Sequence, residues 1–203
     1  MLLVALTGGI GAGKSSASAR LEQRGAALVD ADAVVKQLQQ PGQAVHTAMV
    51  ERWGERIIAE DGQLNRQAVA DIVFNDEEEL KALNALVHPE VRKEMTRQVE
   101  SHRDTDRVVI LDIPLLAEGD AEKRGAVGVI VVDCPPEIAI ERLVTHRGFD
   151  RDDAQARMAA QSSREDRLGL ADFVVDNSGD LTQLEAEIDR CWSWLMSLAR
   201  WVD

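Results

Sequence analysis

The stretch TGGIGAGKSS, Thr7–Ser16, follows the apolar run LLVAL and sets four glycines ahead of a lysine and two serines. Gly8, Gly13, Lys14 and Ser15 satisfy the spacing GxxxxGK[ST]. A loop of this kind wraps a polyphosphate so that successive amide hydrogens point inward, which demands unusual dihedrals and no obstructing side chains. A helix beginning near Ser15 would aim its amino end at the same anion, Lys14 can reach the β and γ phosphates, and the Ser15 hydroxyl can ligate Mg²⁺. No glycine stands at the offset from Gly9 or Gly11 that GxGxxG requires, which excludes a dinucleotide fingerprint. The alternative is a plain glycine turn, but the motif lies between a predicted strand and a predicted helix, as nucleoside triphosphate binding requires.

Other apolar runs resemble the first. Ala26–Val29, Val108–Leu111, Val127–Val132 and Phe173–Val175 are rich in Val, Ile and Leu without polar alternation, as in strands buried on both faces. Helical patterns separate them, including Ser15–Arg24 closed by Gly25, and a segment over 181–202 with Leu184, Ile188, Trp192, Leu195 and Ala199 on one stripe. Repetition of strand and helix predicts an α/β fold with a parallel sheet. Two intervals break the rhythm. Residues 33–107 show only helical segments, with Asn65, Asp76 and Pro89 each placed as a helix start, and read as a helical insertion between the second and third strands. Residues 135–170 form a second insertion, before the last strand.

The 203 residues, 45% of them hydrophobic, suffice for one domain with an inserted subdomain. A formal charge of −13 opposes nucleic-acid binding over most of the surface. Cys134 and Cys191 form no CxxC pair and no metal-ligand cluster with the four histidines, which suits packed thiols in a reducing compartment. No apolar run is long enough for a membrane span, so the expectation is a soluble cytoplasmic protein; the sequence leaves its oligomeric state open.

In open α/β sheets, ligands sit beyond the carboxyl ends of the strands, and three predicted strands end in acid. Asp112, after VVIL, is a candidate Mg²⁺ carboxylate or a cap for the following turn. Asp133 reads as a helix cap. Asp32, closing VDAD, could accept the proton of an attacking hydroxyl, or cap a helix from Ala33. The second insertion carries Arg142, Arg147, Arg151, Arg157, Arg164 and Arg167. Guanidinium forks suit phosphate in a closing lid, whereas ion pairs with the neighbouring acids would use the same residues. Arg142 and Arg147, at the start of that insertion, are the better phosphate candidates.

Together these features resemble the dephospho-coenzyme A kinase family over nearly the entire chain. The matching residues are TGGIGAGKS, VDAD at 29–32, DGQLNR at 61–66, IVF at 72–74, HP at 88, IPLL followed by Glu118, the Arg142 and Arg147 pair, AAQ at 159–161, Arg164, and AD at 171 with Asn177. The chain departs from the family pattern at Ser16, Lys36, Ala117 and Ala139. The resemblance implies a three-layer P-loop NTPase core with a five-stranded parallel sheet, a helical substrate-binding insertion and an arginine-rich lid. It implies that ATP, with Mg²⁺, phosphorylates the ribose 3′-hydroxyl of dephospho-coenzyme A. Asp32 would be the base, with Lys14 and Arg142 as its catalytic companions. Gly11, Ala12, Gly13, Lys14, Ser15, Ser16, Arg147 and Asn177 would bind nucleotide, and Ser15 and Asp112 the metal. Arg66 and His88 would join Asp32 in holding the acceptor. Two other functions remain open: a P-loop kinase for another small molecule or a nucleoside monophosphate, and an ATP-binding switch without transfer activity.

Overall fold

The computed structural model of the chain describes residues 1–114, 116, 120–123 and 125–199. Leu115, Ala117 and Glu118 of the family resemblance lie outside the described residues, as do the last residues of the segment expected to be helical at the C-terminus. Two compact units are resolved, Met1–Val29 with the chain from His102 onward, and Asp30–Ser101.

The first unit is built on a five-stranded parallel sheet of order β2-β3-β1-β4-β5. Its strands are β1 (Leu2–Gly8), β2 (Ala27–Asp30), β3 (Val108–Asp112), β4 (Val129–Asp133) and β5 (Phe173–Asp176). The three central strands are the continuous apolar runs: every residue of β1 and β3 is buried, and β4 is buried up to Asp133. Both edge strands alternate, β2 between buried and half-buried positions and β5 with a single buried residue, Val175. The edge runs are as apolar as the central ones but are not buried on both faces as expected, because an edge strand lacks a neighbour on one side.

Helix α1 (Lys14–Gln23) follows the glycine loop, and α10 (Leu181–Ala199) closes the described chain. They cover one sheet face. Leu2, Val4, Leu6, Ile110, Ile130 and Val132 pack against Ala17 and Leu21 of α1 and against Leu184, Ile188, Cys191 and Leu195 of α10. The buried stripe of α10 thus runs through Cys191, with the expected Trp192 and Ala199 only partly buried beside it. Arg20 reaches Glu185 at 2.6 Å, and Arg24 reaches Asp189 and Glu185 at 2.6 and 2.9 Å, so charge as well as core packing ties α1 to α10. Also in this unit are α6 (Asp120–Lys123), α7 (Pro136–Arg147), α8 (Arg151–Ala159) and α9 (Arg164–Gly169).

The second unit contains α2 (Ala31–Leu38), α3 (Ala44–Trp53), a 3₁₀ turn over Gly54–Ile57, α4 (Arg66–Phe74) and α5 (Glu77–Glu100). Asn65 caps α4 through Ala68 N–H, and Asp76 caps α5 through the N–H groups of Glu78 and Glu79, as their sequence positions predict. Pro89 does not start a helix. It lies inside α5, whose first turn already has a cap at Asp76 and three glutamates suited to the helix dipole, so the helix is nucleated upstream and runs through the proline. Helix α2 begins at Ala31 and is capped by Asp30, whose carboxylate accepts the N–H groups of Asp32 and Ala33 at 2.8 and 3.1 Å. Asp32 is therefore not the cap of α2. The interval is also not wholly without β pairing, since Ile58 and Leu64 form one antiparallel bridge across the Asp61–Gly62 turn. Glu79 joins α5 to α3 by accepting from Arg52 Nε and Trp53 Nε1, both at 2.8 Å, and these two donors hold its carboxyl below the usual carboxylate range. Among the described residues, no helix is long and apolar enough to cross a membrane.

Candidate active site

Register fixes the surroundings of the glycine loop. Leu6 of β1 pairs with Asp112 of β3, and Gly8 with Val132 of β4, so the loop leaves β1 between the tips of its two neighbours. Within the loop, Ala12 N–H donates to Gly9 C=O at 3.0 Å, and Ser16 and Ala17 N–H donate to Gly13 C=O. The amides of Gly11, Gly13, Lys14 and Ser15 meet no acceptor among the described residues. Four N–H groups left over at the amino end of α1 form an anion nest.

Two glycines are required by both dihedral and space. Gly11 has φ +79°, and a Cβ there would come within 2.6 Å of Ala139 C=O on α7. Gly13 has φ +88°, and a Cβ there would overlap the side-chain nitrogen of Asn177. The loop is thus packed against α7 and the residue after β5.

Charged groups converge on the nest. Lys14 Nζ is in ion contact with Asp112 Oδ1, and Asp112 is 1% exposed. Arg142, on α7, donates from Nη2 to Gly179 C=O at 3.5 Å, while its buried Nη1 has no hydrogen-bond partner and lies 3.8 Å from where a Gly13 Cβ would sit. Asn177 is 6% exposed, and its Nδ2 donates to Ala12 C=O at 2.7 Å. The loop, Asp112, Arg142 and Asn177, placed separately along the sequence, therefore meet at one end of the sheet. Arg147, in the last turn of α7, is exposed and has no hydrogen bond or ion pair with the loop among the described residues.

The other arginines divide their duties. Arg157 donates to Asp153 at 3.1 Å and stacks over Phe149 at 5.0 Å. Arg164 binds the Asp133 carboxylate through Nε and Nη2, at 3.0 and 2.6 Å. That corrects the reading of Asp133 as a helix cap: a bidentate guanidinium takes the carboxylate, and Pro135 occupies the N-cap position of α7. Arg167 emerges as a loop contact, its guanidinium lying 2.8 Å from where a Gly9 Cβ would be. Gln161 does too, its Oε1 accepting Ile10 N–H at 2.9 Å. Each is more than 150 positions from the loop residue it meets, and although Gln161 ends the AAQ match, no local pattern marks either as a neighbour of the loop. Next to Asp133, burial pushes the Cys134 thiol up, so it stays protonated and is unsuited to covalent chemistry.

The remaining expected site residues belong to the helical unit. Asp32 is exposed in the first turn of α2, and His88 is exposed on α5. Arg66 opens α4 and borders a cavity of about 220 Å³ whose walls include Met49, Leu64, Val69, Val73 and Phe74. Phe74 is 82% exposed, an unusual burden for a large aromatic ring.

A nest of unpaired amides with lysine and arginine beside it suits a polyphosphate. Comparison with known proteins is more specific. Residues 2–183 match the family model described as dephospho-CoA kinase, CoaE. The chain is 45% identical over 199 residues to a dephospho-CoA kinase of Streptomyces avermitilis, covering 98% of this chain and 96% of that one. It is 40% identical over 198 residues to one from Aromatoleum aromaticum, with 98% and 96% covered. Among solved structures, TT1252 from Thermus thermophilus superposes with a TM-score of 0.79 at 33% identity, over 96% of this chain and 97% of that one. A shikimate kinase from Bacteroides thetaiotaomicron shares the fold, with a TM-score of 0.53 at 16% identity over 96% and 98% of the two chains. The chain belongs to the dephospho-CoA kinase family.

Proposed function

We propose that the chain transfers the γ-phosphoryl group of ATP to the ribose 3′-hydroxyl of dephospho-coenzyme A, releasing ADP and coenzyme A. The observation that carries this reading is the buried, partnerless Nη1 of Arg142 beside the unpaired amides at Gly11, Gly13, Lys14 and Ser15. A buried guanidinium N–H without an acceptor is costly, and a phosphate oxygen is the acceptor that suits both it and the nest. Ala12 and Ser16 would contribute to the same cradle from within the loop.

Transfer in line forms a bond from the 3′-oxygen to phosphorus while the bond from phosphorus to the ADP oxygen breaks. The hydroxyl proton passes to the Asp32 carboxylate, which is exposed and is not used as the cap of its helix. Lys14 exchanges its contact with Asp112 for the β and γ phosphates, and Arg142 with Arg147 neutralises charge on the transferring group. Arg66 and His88 hold the acceptor. Packing in the loop and the arginine-rich segment keep water from the phosphoryl group.

Among the described residues no cluster of three or more His, Cys, Asp or Glu could hold a metal ion by itself. The Ser15 hydroxyl and the Asp112 carboxylate nevertheless fit Mg²⁺, a hard ion that commonly takes one or two protein oxygens and completes its shell with phosphate and water. These two residues would hold it, and when bound it would supply charge neutralisation to the transferring phosphoryl group.

The test is ADP release with ATP, Mg²⁺ and a panel of acceptors: dephospho-coenzyme A, AMP and shikimate. Rapid turnover on the first alone is expected. Equal or faster turnover on AMP or shikimate would assign a different acceptor, and tight ATP binding with no transfer to any would leave a nucleotide switch.

A further inference from the structure

Two side-chain amides bond to the glycine loop on either side of Gly11. Gln161 Oε1 accepts Ile10 N–H at 2.9 Å, and Asn177 Nδ2 donates to Ala12 C=O at 2.7 Å. The main-chain groups dictate which end of each amide faces the loop, because an N–H needs an oxygen and a C=O needs an N–H. Asn177 is itself fixed, its backbone N–H donating to Asp133 C=O at 2.8 Å at the end of β4. Gln161 lies two residues after α8, so the end of the arginine-rich segment is bonded to the loop backbone.

A loop with glycines at 8, 9, 11 and 13 has many backbone conformations available, and each freedom lost on binding weakens the net affinity. Fixing Ile10 and Ala12 beforehand holds Gly11 at φ +79° between them. Preorganisation of this kind raises affinity without adding a contact to the ligand. The side-chain nitrogen of Asn177 is already committed to Ala12, which assigns this residue a supporting role.

We infer that Gln161 and Asn177 are positioning residues that hold residues 10–12 in the phosphate-binding conformation, the glutamine as a hydrogen-bond acceptor and the asparagine as a donor. The inference rests on the triphosphate site proposed above for its effect on affinity, but the brace itself is read from the two hydrogen bonds to Ile10 and Ala12 alone.

Amide exchange at Ile10, followed by NMR in the nucleotide-free protein, is the direct test, with Gln161→Met, Gln161→Glu, Asn177→Leu and Asn177→Ser compared with the unmodified chain. Thermal melting checks that each is folded. Gln161→Met should speed Ile10 exchange by about tenfold, and Gln161→Glu, which keeps an acceptor oxygen, should restore protection. Calorimetry with ATP and Mg²⁺ should show about three- to tenfold weaker binding for Gln161→Met and Asn177→Leu, with Asn177→Ser recovering part of it through its hydroxyl donor. KM for dephospho-coenzyme A should not move. Unprotected Ile10 in the unmodified chain, or undiminished ATP affinity in folded Gln161→Met, would overturn the brace. Failure of the kinase reading looks different: no ADP release by the unmodified chain, while the Ile10 exchange pattern stays as expected and supports the brace.

Discussion

The Lys14 ammonium and the Asp112 carboxylate are in ion contact at the base of the glycine loop, with Asp112 1% exposed at the end of a fully buried strand. In the proposed mechanism the same lysine leaves this buried carboxylate for a phosphate, so it has two roles to test. Lys14→Ala removes both. Turnover should fall by about 10²- to 10³-fold from lost charge stabilisation. The thermal midpoint should also fall, because a buried carboxylate loses its ammonium, at a cost of about 1–3 kcal/mol. Lys14→Arg keeps the charge and so most of the midpoint, yet a planar fork in place of a compact ammonium should leave turnover low. Melting curves beside steady-state rates separate the two effects, and an unchanged midpoint in Lys14→Ala would show that the pair adds nothing to folding.

Asp30 and Asp32 are two residues apart and should respond oppositely. The Asp30 carboxylate accepts two N–H groups at the start of α2, whereas Asp32 is exposed in the following turn. Asp30→Ala should cost about 1 kcal/mol of stability, as the loss of a helix cap does. Asp32→Asn should leave the denaturation midpoint unmoved while slowing turnover by about 10²- to 10⁴-fold through loss of a proton acceptor. Denaturant melts and initial rates on both variants decide the assignment: near-normal turnover in Asp32→Asn would remove it from the mechanism.

Such pairs show what could be read in advance. The buried strands were legible because burial on both faces leaves no polar alternation, and β1, β3 and β4 carry that mark. The loop was legible because GxxxxGK[ST] is a local pattern with a local purpose. Partners brought by tertiary structure were not. Asp133 resembles a cap in its sequence neighbourhood, and only folding brings Arg164, 31 positions away, to its carboxylate. Gln161 and Arg167 reach the loop from the later part of a segment whose polar composition also fits a solvated helix. In α10 the apolar count favoured Trp192, but the axis of burial passes through the smaller Cys191, leaving the indole at the margin.

Pro89 departs from the expected helix start for a related reason. Proline is favoured in the first turn of a helix, yet here it lies inside the 24-residue α5, where it cannot donate to the carbonyl four residues earlier. Pro89→Ala restores that donor and relieves the ring's clash with the preceding turn. It should stabilise the helical unit by about 1–3 kcal/mol, read as a higher urea midpoint by far-ultraviolet circular dichroism. A lower midpoint would mean that the proline ring contributes packing greater than its cost to the helix.

Cys191 makes the last prediction, in alkaline solution. It is 0% exposed in the core between α10 and the sheet, and burial pushes its thiol from 9.0 up to about 12. The folded state therefore holds this proton more tightly than the unfolded state. Its contribution to stability is complete below pH 9 and is lost progressively as the pH rises towards 12. By pH 10 the unfolded thiol has largely ionised and the folded one has not, a loss of about 1.4 kcal/mol relative to neutral pH. The chain contains no tyrosine, so no phenol titrates in the same window to mask the effect. Stability measured by urea titration from pH 8 to 10.5 should decline. Cys191→Ala should be less stable at pH 8, from the lost sulfur packing, but should decline less steeply. Parallel slopes for the two proteins would show that the Cys191 proton is not held by burial, and rapid labelling of the native thiol at pH 8 would show the same by a second route.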